Sequence, residues 1–284
     1  MLNDSQEQNV SDGSTAIQAA GNVTLIGPSV TEVRDLCVLF LRDNFPKLQE
    51  AARQAAEEHV RQFANQLERE LADNLSSVVV EKLADPDVQA TINDAVQAAA
   101  RKGEAANPEI LAKLILQKVS GDCGPFQDIV FAEAVKVAPL LTKEQIAFLA
   151  FVLVMQVYVF PVESWEQLDR LYERVSLFSE PGFGISEAQR KHIHYSGAAS
   201  VAGRNAVHPT YNMFEAMELK YQKHGLVNFR AISNGKVPAL VKLIHQYTKD
   251  KGDAVALTSV GIAIVCAYLS YFGFGPVDLL ADKE

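Results

Sequence analysis

The segment Glu58-His59-Val60-Arg61-Gln62-Phe63-Ala64-Asn65-Gln66-Leu67-Glu68-Arg69-Glu70-Leu71-Ala72-Asp73-Asn74-Leu75-Ser76-Ser77-Val78 decides the fold class. Its apolar residues Val60, Phe63, Leu67, Leu71, Leu75 and Val78 recur every three or four positions, with Glu, Arg, Gln and Asn between them. That is the period of a helix face and not of a strand. Working outward, the same pattern reaches back to Val30 and forward to about Ala84. Pro46 is the breaker within it, since proline removes a backbone donor and crowds the turn before it. The pattern therefore predicts a shorter helix over 31–44, then a kink or a restart with Pro46 in the first position. Asp85-Pro86 ends the run. A helix over 46–83 would be about 57 Å long at about 1.5 Å per residue, longer than a compact domain is wide, which predicts a stalk or coiled-coil element. Because the spacing is not a strict heptad, two readings stay open. The Val60, Phe63, Leu67, Leu71 and Leu75 stripe joins copies of the chain, or the helix packs on its own C-terminal domain.

Upstream, a polar opening runs into Ser14-Thr15-Ala16-Ile17-Gln18-Ala19-Ala20-Gly21-Asn22-Val23-Thr24-Leu25-Ile26-Gly27. This predicts two short strands around a Gly-Asn turn, a β-hairpin-like arm that cannot bury itself within one chain. Ile17, Gln18, Val23 and Leu25 are the residues expected to meet other copies. The Ile17-Gln18-Ala19 core with Gly13, Gly21 and Gly27 is also similar in outline to amyloid signalling motifs, where Gln ladders favour in-register stacking. Ala20 stands where such motifs place glycine. A small β-assembly, amyloid-type templating and an unstructured tail are the three alternatives for this arm.

Downstream, residues 86–108 are Ala-rich and helical, and Lys102-Gly103-Glu104 to Asn107-Pro108 has the composition of a linker. The expected organisation is an N-terminal β arm (1–29), a long helical stalk region (30–107) and a helical C-terminal domain (108–284). Further helices are predicted from Pro108 to Ser120, then over 126–137, 142–160, 164–177 and 186–194. Thr142 followed by Gln145, and Ser164 followed by Gln167, are capping signals. The fold class expected is mainly α.

The chain has 284 residues, 48% hydrophobic and 21% charged, a balance that suits a soluble protein with a sizeable core. Cys37, Cys123 and Cys266 are odd in number and far apart, which excludes a disulfide framework and predicts a reducing compartment. The N-terminus lacks the basic-then-apolar order of a signal peptide, so a cytoplasmic protein is expected. Net charge is −9, and residues 1–110 hold 9 Lys/Arg against 18 Asp/Glu. An acidic front repels phosphate, which argues against nucleic acid as a partner. Two apolar segments raise the membrane question: residues 146–162, and residues 254–277, which carry no charge over 24 positions. The second is long enough to span a bilayer, but Thr258, Ser259, Gly261 and Pro276 interrupt it and no Lys/Arg clusters flank it. It is read as a buried core helix, with membrane entry only after activation as the alternative.

Chemistry-bearing patterns are few, and no catalytic residue or cofactor site is predicted. His192-Ile193-His194 would set two imidazoles on one side if the segment were extended, which makes His192 and His194 the weak candidates for a metal, with His208 and His224 following. Tyr195-Ser196-Gly197 lacks the GxSxG frame of a nucleophile elbow. Gly182-Phe183-Gly184 has no strand before it and is a turn rather than a dinucleotide fingerprint. The small residues from Gly197 to Gly203 could cradle an anion or allow close helix packing.

Four motifs taken together are more specific. Ser14-Thr15-Ala16-Ile17-Gln18-Ala19 with Gly21 and Val23, Leu141-Thr142-Lys143-Glu144-Gln145-Ile146, His192 to Val201 and Ala256 to Ile264 resemble an uncharacterised bacterial family known by locus-tag names. The N-terminal element is also similar to one at the front of anti-phage and conflict-system proteins. The resemblance implies a soluble bacterial protein with no assigned activity. Its members carry Gly-Cys where this chain has Gly197-Ala198, so it implies no reactive thiol there. The expected function is that of a non-enzymatic, homo-oligomeric interaction protein of a defence or conflict system, with itself and a further protein as partners. The alternatives are a pore-forming effector using residues 254–277, and a metal-dependent enzyme using His192 and His194.

Overall fold

The computed structural model describes the backbone of residues 30–201, 213–222 and 235–274, with side chains in these stretches except at 30–48 and 222. Ile17, Gln18, Val23 and Leu25 lie outside the described residues, as do His208 and His224. The chain divides into two compact units, Met1–Ala52 and Arg53–Glu284.

Helix α1 spans Val30–Asp73. It continues through Pro46, contrary to the expected break, because one lost backbone bond can be absorbed within a long helix. It also stops earlier than the periodicity predicts. Asn74 Nδ2 donates to Glu70 O at 2.8 Å, and Ser77 N and Oγ both donate to Asn74 O. The β-branched run Val78-Val79-Val80 then leaves the helical path: Val78 bridges Ser120, and Val79 N donates to Val119 O at 2.9 Å. A 3-10 turn over Val80–Ala84 leads to α2, Pro86–Lys102, capped by Asp85, whose carboxylate accepts from Asp87 N and Val88 N.

The segment with linker composition is built into the body. Gly103–Ala106 forms a 3-10 turn with Ala106 fully buried. Asn107, left-handed at φ 57°, donates its side-chain amide to Ala138 O and Leu141 O, both at 3.0 Å. The helices that follow are α3 (Pro108–Val119), α4 (Pro125–Val137), α5 (Lys143–Gln156), α6 (Trp165–Ser179) and α7 (Glu187–Ser196). Thr142 and Ser164 cap α5 and α6 through Gln145 N and Gln167 N, as the sequence signals require. Strand β1 (Ala199–Val201), helix α8 (Met213–Gln222), helix α9 (Pro238–Lys249), strand β2 (Val255–Leu257) and helix α10 (Ser259–Ser270) complete the order.

Helix α5 is the axis of the core. Every residue from Gln145 to Met155 is buried, and α6, α9, α10 and the turn Glu180–Gly182 pack around it. Gly182 is needed there: a Cβ would lie 2.3 Å from Phe148 N. The apolar segment beginning at Ala254 is not one long helix but β2, the cap Thr258 and a helix of 12 residues, most of them buried. Among the described residues no helix is long and apolar enough to cross a membrane. Among the described residues the second half is helical as expected apart from one small sheet, in which β1 and β2 pair antiparallel with Ser200 opposite Ala256.

Candidate functional site

Three of the motif segments meet in space. At the start of α5, Gln145 is 1% exposed, and its Oε1 accepts from Thr142 N at 3.0 Å. Its Nε2 donates to Gln189 O at 2.8 Å and to His192 Nδ1 at 3.2 Å, joining α5 to α7. At the other end of α7, Gly197 takes φ 83° to close the helix. Thr258 N then donates to Ala198 O at 3.1 Å, and Thr258 Oγ1 lies 2.7 Å from Gly197 O and 3.1 Å from Gly261 N. The β1–β2 pair extends this contact, and Gly261 permits it, because a Cβ there would sit 1.9 Å from Ala198 O. The run from Gly197 to Val201 is thus a close-packing element, while the residues from Ala202 to Gly203 lie outside the described ones.

The histidines occupy this junction differently from expectation. Residues 192–194 are helical, not extended, so the two imidazoles point about 200° apart around α7. His192 Nδ1 faces Gln145, whereas His194 Nδ1 accepts from Val201 N at 3.3 Å. Among the described residues no group of three or more His, Cys, Asp or Glu is placed to hold a metal ion. Beside Thr142 opens a cleft of about 580 Å³ lined by Lys102, Glu104, Asn107, Leu140 and Lys143. Its floor is apolar and its rim carries both signs of charge, among them the Lys143–Glu104 ion pair at 3.6 Å.

Two lysines escaped sequence reading, Lys118, which is buried, and Lys220, which is half-buried. Lys118, 1% exposed, lies 2.7 Å from Asp87 Oδ2, 2.6 Å from Asp128 Oδ1 and 3.2 Å from Asp128 O. Burial pulls its pKa down, but the hydrogen bonds and charges of Asp128 and Asp87 outweigh that and hold it above the ordinary lysine value. It ties α2, α3 and α4 together. The signal was available: 118 follows 111, 114 and 115 on the buried stripe of α3, where a lysine demands a partner. Beside it, Cys123 lines a cavity of about 280 Å³, and burial pushes its thiol up, away from reactivity. Lys220 on α8 instead donates to the main-chain oxygens of Met155 and Tyr158, and burial lowers its pKa to about 8.

The stripe proposed for oligomerisation divides by burial. Phe63 is 1% exposed and Leu67 packs against the core of the body, whereas Val60 and Leu71 are half-buried and Leu75 is 67% exposed. The inner part of the stripe is therefore occupied by the chain itself.

The fold and this junction define a mainly helical protein organised around a helix buried on all sides, with motif residues that lock helices together. A family model matches residues 27–228, and the chain belongs to that family, an uncharacterised one known by locus-tag names. Comparison with curated proteins and with solved structures returns no match.

Proposed function

We propose that the protein is a homo-oligomeric, non-enzymatic interaction protein of the bacterial cytoplasm, in which the N-terminal region joins copies and the helical body carries the contact with a further partner. The supporting observation is in α1. Residues 49–55 are exposed at every position, over two helical turns, before burial begins at Ala56. A helix exposed all round gains nothing from a core, and a helix of that kind is marginal in isolation. Surface pairs such as Arg53–Glu57 and Arg61–Glu58 compensate only weakly. A second copy laid along this segment would supply the missing burial. The setting is a defence or conflict system, a reading supported by the likeness of the Ile17-Gln18-Ala19 element to those of anti-phage proteins.

Native mass spectrometry of the full-length chain at micromolar concentration tests the assembly, with a defined oligomer expected and a monomer contradicting it. For the setting, phage plaquing on cells with and without the protein is expected to differ, and equal plaquing across a broad phage panel contradicts it.

A further inference from the structure

The exposed turns of α1 belong to a longer apolar line. Upstream of them Val38, Leu41, Phe45 and Leu48 are spaced alternately three and four residues apart, and Ala52 and Ala55 continue the alternation. One helix runs through all six positions, and that alternation sets them on one face of it. Between 42 and 50 every position off the line is polar except Pro46: Arg42, Asp43, Asn44, Lys47, Gln49 and Glu50. At the downstream end Ala52 and Ala55 are exposed. The stripe farther on, Val60, Phe63, Leu67 and Leu71, departs from this register with two successive steps of four, and its Phe63 is buried in the chain's own body.

Alternate steps of three and four are the spacing by which helices interdigitate along a shared seam. Charge favours a second copy as the occupant. The chain carries −9, so copies repel one another in general. Yet the positions that flank the line, 37, 44 and 51 on one side and 42, 49 and 56 on the other, hold a single charge, Arg42. We propose, resting on the assembly reading above, that α1 joins a second copy of this chain in a parallel, in-register coiled coil whose seam is Val38, Leu41, Phe45, Leu48, Ala52 and Ala55. Across that seam Cys37 meets Arg42, Asn44 meets Gln49 and Ala51 meets Ala56, so no like charges face each other. The seam is about 26 Å long at about 1.5 Å per residue, short for a coiled coil by itself. Parallel copies also bring together residues 14–27, whose expected strands need partners. Antiparallel copies would set those segments at opposite ends of the seam.

The test is disulfide formation in the full-length chain carrying Cys37→Ser, with either Ala52→Cys on the seam or Glu50→Cys on the opposite face. Both positions are exposed in the single chain, so the body alone treats them alike. Under copper-catalysed oxidation at micromolar protein, the Ala52→Cys copies are expected to link at least tenfold faster than the Glu50→Cys copies, while native mass spectra of the two reduced variants show the same oligomer. Ala52→Leu combined with Ala55→Leu should lower the concentration at which the oligomer dissociates at least tenfold and leave the urea midpoint of the body unchanged. An oligomer whose Ala52→Cys copies link no faster than its Glu50→Cys copies would overturn the seam while leaving the assembly standing. A monomer at micromolar concentration would overturn both.

Discussion

Helix α5 and the 49–55 stretch of α1 solve the same problem in opposite ways. Every residue of α5 from Gln145 to Met155 is buried, and its apolar side chains meet neighbours on all sides. In α1 the seven residues 49–55 meet solvent on all sides, and helicity there rests on alanines and surface ion pairs. Burial accounts completely for α5, since a helix apolar all round belongs in a core. Burial among the described residues does not account for the exposed turns of α1. The contrast teaches that burial within the body explains one helix and not the other, and the proposed assembly is what would account for the second.

Substitutions can break or sharpen that contrast. The largest effect is expected in α5. Phe151 is fully buried, with the rings of Phe183 and Tyr247 at 5.1 and 6.0 Å. Phe151→Ala should cost about 3–5 kcal/mol, measured as a lowered urea midpoint; a loss below about 1 kcal/mol would show that α5 is not the core axis. Next comes Lys118→Ala, which leaves Asp87 and Asp128 facing each other without their cation. About 1–2 kcal/mol of destabilisation is expected by chemical denaturation, because both carboxylates are partly exposed and regain water, and an unchanged midpoint would mean the pairs contribute nothing to stability.

A smaller effect concerns Lys220. Its folded pKa of about 8 lies below the ordinary 10.5, so between those values the unfolded chain holds a proton that the folded chain has released. Stability should therefore rise with pH from about 8 to 10.5 by this group's contribution, and the rise should vanish in Lys220→Met. Equal slopes in the two proteins would refute the assignment. The smallest effect is expected in α1, where Ala52→Gly should cost about 1 kcal/mol of local helix stability. The urea midpoint of the body should stay where it is while the oligomer dissociates at higher concentration. A shifted midpoint with unchanged assembly would reverse the roles assigned to the two helices.

Much of this fold was legible because it is written in local signals. Thr142 with Gln145 and Ser164 with Gln167 mark helix starts that backbone donors require, and both caps form. Periodicity alone overran the end of α1, because Val78 keeps the helical spacing while pairing with Ser120 instead. Strands β1 and β2 have three residues each and are joined by no short turn, so neither carries an alternation long enough to detect. At the junction, the motif residues were visible as a set but not their roles. His192 and His194 looked like a pair only for an extended chain, and the helix turns them to separate partners. Lys118 and Lys220 differ by what lies across from them, Asp87 and Asp128 in one case and two main-chain carbonyls in the other, and those partners come from distant parts of the chain.

The most direct test of the central claim is the mass of the native particle. A native mass spectrum of the full-length protein, set beside that of a chain beginning at Arg53, should give a defined homo-oligomer for the first and a folded monomer for the second. A full-length monomer at micromolar concentration, or an oligomer of the same size after removal of residues 1–52, would contradict it.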